Sequence, residues 1–303
     1  MSQPPRAAYR GLVRASGLLT QPAGVEGADH VCWAYDDDAA FEEAAVRFLR
    51  AGLDRGDRLM WVGDGSAERL RRAGGALAEV DSLTASGALE LVPVSAGYPT
   101  SGAFSPEEQL AFYDGRTRSA RESGYTGLRV VAEVTALASD TRHSAGFLRW
   151  EHLADDFVAS GSGFSALCAY SCEHAPPAVV DDAAAVHPVA SVPGAPPPLR
   201  LWCEPDGAGD RIALAGEVDV VTADRFVRLL ESTHVDAPVL TLDLTQVTFI
   251  DLAGARAIAA VGRAVAARGG RLVVAGASRL FRRMWRIIGF ADVAEVSFSE
   301  GRP

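Results

Sequence analysis

Between His30 and Tyr170, short apolar runs rich in β-branched and aromatic residues alternate with segments whose apolar residues recur at helical spacing. That alternation constrains the fold more than any other feature of the chain. The strand-like runs are HVCWAY from His30, RLMWV from Arg58, residues 89–94, LRVVAEV from Leu128 and FSALCAY from Phe164. After the first run, Asp36, Asp37 and Asp38 suit a helix N-terminus. Phe41, Ala44, Ala45, Phe48 and Leu49 then share one helical face, and Gly52 and Gly56 are expected to end that helix. Ser105, Pro106 and Glu108 combine an N-cap, a first-turn proline and a capping-box carboxylate. Residues 143–157 read as a further helix. Strands that are apolar on both sides and separated by helices predict an α/β fold with a mainly parallel sheet covered on both faces.

The rhythm stops at APPAVVDDAAAVHPVASVPGAPPP, where proline and alanine dominate and no periodicity survives. This segment reads as a linker. A second rhythm, ββαβαβα, follows. LRLWCEP and RIALAGEV are strands around a turn at Asp206 and Gly207, and Thr222 caps a helix bearing Phe226, Leu229 and Leu230. In residues 238–244, Leu240, Leu242 and Leu244 alternate with Val239, Thr241 and Asp243. Asp251 and Leu252 open a helix with Ala257, Ile258, Val261, Ala264 and Val265 on its apolar face, ended by Gly269 and Gly270. After a strand at 272–275, a last helix is expected to bury Leu280, Met284, Ile287 and Ile288. A chain of 303 residues accommodates two domains. The expected division is a loose tail at 1–28, a domain at 29–174, a linker at 175–198 and a domain at 199–303.

The formal net charge is −10. That argues against a general nucleic-acid or anionic-membrane binder, both of which want a basic surface. Arg279, Arg282, Arg283 and Arg286 form a local basic patch, read first as a solvated helix face. There is no lysine, which excludes Schiff-base chemistry and a P-loop amine. No run reaches ~18 apolar residues, so no membrane span is expected. With no export signal at the N-terminus, the four cysteines are expected as reduced thiols in a cytoplasmic protein.

The segment DLTQVTFIDLAGARAI, from Asp243 to Ile258, resembles the signature loop of STAS domains, the anti-sigma-factor antagonists. Phe249, Ile250, Asp251 and Gly254 match, as does GEVDV upstream, and the resemblance covers about residues 199–298. It implies a mixed β-sheet with helices and, as partner, an anti-sigma factor that is a serine kinase of the GHKL ATPase type. In that family a serine directly after the Asp accepts phosphate at a helix N-terminus, and the added charge blocks docking. Here Leu252 and Ala253 occupy the two hydroxyl positions, so the resemblance implies recognition without a phosphosite. Asp219, Thr248, Asp251, Leu252, Ala253 and Gly254 are the candidate partner-binding residues. Thr248 and Thr245 are read first as strand-end and turn residues. Asp251 is read as a helix cap or a partner contact, and Leu252 as an exposed docking residue or one folded inward.

HVCWAYDDD, GLRVVAEVTAL, the Trp150-Glu151 pair and the Cys168-Ala169-Tyr170 strand resemble the MEDS sensory domain, over about residues 28–174. That family is associated with methanogens, methylotrophs and responses to small hydrocarbon derivatives. The resemblance implies a RecA-like three-layer fold. The first strand is followed by three aspartates and not by a glycine nest, so no nucleotide is expected. His30 and Cys32, two apart on a strand, face one side. With Cys168 they form a candidate metal set, for which Cys172 and His174 offer further donors. The alternative is that the cysteines are small buried hydrophobes. Glu133 needs a partner inside a buried strand, for which Arg129 and His30 are candidates. Trp33, Tyr35, Trp61, Tyr98 and Trp150 either line one apolar pocket or belong to ordinary core. The candidate ligand-binding residues are His30, Cys32, Trp33, Tyr35, Glu133, Trp150 and Glu151. Tyr35, Asp36, Gly63, Asp64, Glu133 and Thr135 lie where open α/β sheets bind ligands, at strand carboxyl ends.

The expected function is non-catalytic signalling, with small-molecule or metal sensing coupled to anti-sigma partner binding. The alternatives are a metal-dependent enzyme built on His30, Cys32 and Glu133, or a structural adaptor that binds no ligand.

Overall fold

The computed structural model describes residues 14–98, 104–140, 142, 144–204, 210–233, 238–290 and 296–299. The expected turn at Asp206 and Gly207, residues 1–13 of the expected tail and the expected helix start at His143 lie outside these residues. The chain divides into two compact units, Ala15–Pro196 and one built from Pro197–Pro303.

The first unit is a seven-stranded, all-parallel sheet. Its strands are β1 (Gly17–Leu18), β2 (His30–Tyr35), β3 (Arg58–Val62), β4 (Leu89–Val92), β5 (Leu128–Glu133), β6 (Phe164–Ser171) and β7 (Val189–Ser191), in the spatial order β1-β7-β2-β6-β5-β3-β4. The helices are α1 (Asp38–Arg55), α2 (Ser66–Ala73), α3 (Val80–Ala85), α4 (Val94–Gly97), α5 (Pro106–Glu122), α6 (Thr135–Ser139), α7 (Ser144–Ala159) and α8 (Pro177–Ala185). Each face of the sheet has its own core. Cys32, Val130, Cys168 and Tyr170 pack with Tyr113, Trp150, Ala154 and Val180 on one face. Val31, Trp33, Trp61, Val131 and Leu167 pack with Phe41, Phe48, Leu70 and Leu77 on the other. This two-sided burial is why the strands read as continuous apolar runs.

The local signals act as their chemistry requires. Asp37 caps α1 by accepting from the Ala39 amide, and Ser105 caps α5 by accepting from Glu108. Gly56 ends α1 in the left-handed region at φ 80°, where glycine carries no Cβ penalty. Gly52 does not end the helix as expected but lies inside it. A Cβ there would sit 2.5 Å from Arg129 Cδ, so the glycine makes room for that buried side chain.

The largest departure is at residues 175–198. The expected linker contains α8 and β7, and β7 is an interior strand of the sheet, paired with both β1 and β2. Pro177 sits in the first turn of α8, where a missing amide costs nothing, and Val180, Ala183 and Ala184 are buried. The small residues that looked like linker composition allow close packing on the sheet. The expected tail likewise supplies β1 and a 3-10 turn, Pro22–Val25.

The second unit is a five-stranded mixed sheet in the order β12-β11-β10-β9-β8. Its elements are β8 (Leu199–Glu204), β9 (Asp210–Val218), α9 (Ala223–Glu231), β10 (Val239–Ile250), α10 (Leu252–Ala267), β11 (Arg271–Ala275), α11 (Arg279–Ile287) and β12 (Val296–Phe298). Only β8 and β9 are antiparallel. Leu240, Leu242 and Leu244 are buried as their alternation requires. In α11 the buried pair is Phe281 and Trp285, while Leu280 and Ile287 are exposed, so the expected apolar face is one position out. The aromatic pair is held by tilted and edge-on contacts with Phe298 and Phe290.

Candidate functional site

Four side chains from four segments of the first unit converge in its sealed interior. They are His30 at the start of β2, Glu151 on α7, Cys168 on β6 and His187 between α8 and β7. One donor atom from each lies within 4.8 Å of the other three. The sequence places them by simple geometry. His30 and Cys32 share one face of β2, and the register sets His30 beside Ala166 and Cys32 beside Cys168. Glu151 and Asp155, four apart on α7, share a helix face, and Trp150, Ala154 and Val158 anchor that helix on the same side of the sheet. His187 is carried in by the segment that composition alone reads as linker.

Glu151 Oε2 lies 3.3 Å from His187 Nε2, 3.6 Å from His30 Nε2 and 3.8 Å from Cys168 Sγ. Cys168 Sγ lies 3.9 Å from His30 Nε2, and the imidazole centroids are 4.1 Å apart. A second ring of contacts fixes these groups from behind. His30 Nδ1 is 2.9 Å from Asp155 Oδ1, His187 Nδ1 donates to the Ala183 carbonyl at 2.7 Å, and the Tyr170 hydroxyl donates to Glu151 Oε1 at 2.9 Å. His187 Nε2 is fully buried and has no hydrogen-bond partner, because its approach to Glu151 lacks hydrogen-bond geometry.

Burial opposes charge on His30, but hydrogen bonds and charges from Asp155 and Glu151 outweigh it and lift the pKa to about 9. Burial would raise Glu151; the two histidines instead bring it down to about 2. Burial and the charge of His30 lower His187. Burial and the Glu151 carboxylate push the Cys168 thiol well up.

The sheet divides the residues expected to bind one ligand. His30, Cys32, Trp150 and Glu151 lie on the face covered by α7, with Trp150 stacked on Tyr113 at 5.5 Å. Trp33 belongs to the opposite core, and Tyr35 stacks on Phe41 at 4.6 Å beside it. Glu133 is on that opposite side too, accepting from Trp61 Nε1 at 3.0 Å and Arg69 at 3.3 Å. It meets neither expected partner. Arg129 donates instead to the carbonyls of Phe48, Ala28, Val25 and Glu26. The enzyme constellation of His30, Cys32 and Glu133 is therefore not assembled, and the five aromatics do not line one pocket. Cys32 is buried on the cluster's face but is not one of the four convergent donors. Cys172 and His174 are also outside the group, and His174 Nδ1 is 2.9 Å from Ser171 Oγ.

Sequence reasoning missed His187 and Asp155. The signal for Asp155 was its i+4 spacing from Glu151. For His187 it was a single imidazole after a short Val/Ala run with a proline at its start.

In the second unit, Asp251 caps α10. Its Oδ1 accepts from the Gly254 amide at 2.9 Å, and its Oδ2 accepts from the Val220 amide at 3.1 Å. Asp219 Oδ1 accepts from the amides of Val221 and Thr222, forming the turn that follows β9. The two aspartates thus hold the turn and the helix start side by side. Gly254 permits the contact: a Cβ there would stand 2.1 Å from the Val218 carbonyl oxygen. Thr248 is exposed and its hydroxyl donates to the Gly216 carbonyl at 3.0 Å, while Thr245 bonds Asp243. Ala253 is half-buried. Around this frame Val220, Val221, Phe249 and Leu252 are exposed, at 76%, 79%, 52% and 40%.

Residues 29–188 match the family described as MEDS, the methanogen/methylotroph, DcmR sensory domain, and that match spans the cluster from His30 to His187. Residues 204–296 match a STAS domain family, described as Mlab. The chain belongs to the MEDS family, with a STAS domain behind it. Two curated relatives of the STAS domain, each called anti-sigma-B factor antagonist, come from Listeria monocytogenes and Listeria innocua. Each is 33% identical over 91 residues, covering 30% of this chain and 80% of the relative. Among the described residues of this MEDS–STAS chain, no helix is long and apolar enough to cross a membrane.

Proposed function

We propose that this MEDS–STAS chain is a non-catalytic cytoplasmic signalling protein whose STAS domain docks an anti-sigma factor, a serine kinase of the GHKL ATPase type. The observation that carries the reading is the exposed apolar patch of Val220, Val221, Phe249 and Leu252 around the Asp251-capped start of α10. Large side chains held out by a rigid, hydrogen-bonded frame are costly to leave in water and suit a protein partner. The curated relatives named as anti-sigma-B factor antagonists support the class of partner. Leu252 stands where the family places a phosphoacceptor, so docking here is not switched by phosphate on that residue.

The MEDS domain, in the same reading, senses a small molecule and biases that docking. Of the candidate ligand residues, Tyr35 and Glu133 lie at the carboxyl edge of the sheet, the usual site in open α/β folds. Capture with the full chain as bait, followed by mass-spectrometric identification, tests the docking. Recovery of an anti-sigma ATPase is expected, and its absence from a lysate that contains one overturns the reading.

A further inference from the structure

We propose that His30 Nε2, Glu151 Oε2, Cys168 Sγ and His187 Nε2 bind one transition-metal dication of the zinc class inside the MEDS domain. This stands independently of the docking reading and replaces Cys32 of the sequence-derived set with Glu151 and His187.

The spacing fits. Zinc takes imidazole nitrogen and carboxylate oxygen at roughly 2.0–2.2 Å and thiolate sulfur at about 2.3 Å in a tetrahedron, which sets the donors about 3.3–3.6 Å apart. Four of the six donor separations are 3.3, 3.6, 3.8 and 3.9 Å and all six lie within 4.8 Å, so a modest inward movement of the side chains closes the site.

The orientation fits too. Each imidazole turns Nδ1 outward to an acceptor, Asp155 for His30 and the Ala183 carbonyl for His187. That leaves Nε2 of both aimed at the same point, and such outer partners are how proteins fix metal-ligating histidines. The Tyr170 hydroxyl holds Glu151 Oε1 and so presents Oε2 inward. His187 Nε2 is the independent sign. Its Nδ1 is taken by the Ala183 carbonyl, and its Nε2 is buried, faces a carboxylate oxygen at 3.3 Å and makes no hydrogen bond. A buried ring nitrogen left without a hydrogen bond beside a carboxylate is unfavourable, and a cation between the two satisfies both.

The chemistry selects the ion. One thiolate, two imidazoles and one carboxylate suit a borderline dication and not the hard, oxygen-seeking magnesium or calcium. Thiolate and carboxylate together cancel the dication's charge in a site closed to water. Binding releases the Cys168 thiol proton and any proton on the His30 Nε2 to solvent. Four protein donors fill the tetrahedron and leave no position for a substrate, so the ion is structural. It would join β2, α7, β6 and the segment entering β7, which are far apart in sequence.

The test uses the full chain purified without chelator. Elemental analysis is expected to find one equivalent of zinc. After exchange for Co2+, the wild type should show the intense visible bands of tetrahedral cobalt and a thiolate-to-cobalt charge-transfer band. Cys168→Ser should lose the charge-transfer band, and His187→Gln should lose tetrahedral intensity, while Cys32→Ser and Cys172→Ser keep both. Because Cys168→Ser or His187→Gln could fail to fold, the wild type carries a second measurement: a chelator should lower its thermal transition and added Zn2+ should restore it. A wild type that takes up neither zinc nor cobalt overturns the proposal. So does a cobalt spectrum that survives Cys168→Ser, or one that disappears with Cys32→Ser.

Discussion

Phe249→Ala should weaken docking on the anti-sigma partner far more than it disturbs the fold. A phenylalanine carries roughly 150–250 Å² of surface, and Phe249 keeps 52% of its own exposed. On the order of 100 Å² is thus free to be covered by a partner, and at about 25 cal/mol per Å² this corresponds to ~2.5 kcal/mol. Alanine retains a small part of that area, so the expected loss is ~2 kcal/mol, or about 30-fold in Kd. Removing an exposed side chain away from the core should change unfolding free energy by no more than about 0.5 kcal/mol. Calorimetric titration of the full chain against the purified partner reads the first quantity, and urea denaturation reads the second. Leu280→Ala and Ile287→Ala, on the exposed side of α11, are controls of equal apolar character. Unchanged affinity in Phe249→Ala, or a loss as large in Leu280→Ala, would refute the assignment of the docking face.

Leu252→Ser restores a hydroxyl directly after the capping Asp251; incubation with the partner kinase and ATP should add one phosphate by intact mass and weaken binding, while the wild type gains none at this position. Arg129→Met removes the donor that serves the carbonyls of Phe48, Ala28, Val25 and Glu26; with those acceptors left buried, denaturant unfolding of the first unit should lose at least about 3 kcal/mol. Asp243 is a pH probe in the second unit. Burial would raise its pKa, but hydrogen bonds from Thr245 and Arg211 hold it below the ordinary 3.8. A depressed carboxylate stabilises the fold above its unfolded pKa and loses that contribution as pH falls through the folded value. Asp243→Asn should therefore be less stable than wild type at neutral pH, and the gap should shrink below pH 3.8 in acid titrations followed by circular dichroism.

Much of this architecture was legible because strand and helix periodicities differ. HVCWAY and FSALCAY read as buried strands and are central neighbours, and Ser105 and Asp37 cap helices as their spacing implies. What failed did so for two physical reasons. Composition hid α8 and β7: proline at a first helical turn and alanine against a sheet are packing devices, yet the same residues in series look like a spacer. Strand parity is the other reason. His30 and Cys32 were correctly placed on one side, but Trp33, Tyr35 and Glu133 are of opposite parity on their strands and belong to the other core. In α11, helical spacing fitted two faces, and burial of Phe281 and Trp285 decided between them. The docking loop was the most readable part, because Asp251 and Gly254 are fixed by backbone contacts local in sequence and space.

The division of the MEDS sheet into two faces separates what could be confused in a sensor. A site closed by four donors, with His30, Glu151 and His187 fully buried, exchanges slowly with solvent and suits holding a fold together. A reporting site needs the reverse: polar groups near solvent whose partners a ligand can replace. Glu133 and Arg69 keep 18% and 21% of their side chains exposed at the carboxyl edge of the other face. Burial raises the pKa of Glu133, against the Trp61 hydrogen bond and the Arg69 charge that lower it. In the proposed reading the cluster on one face is the rigid site and the edge of the other is the responsive one. The same segment that brings His187 into the cluster continues through β7 and precedes the STAS domain in sequence.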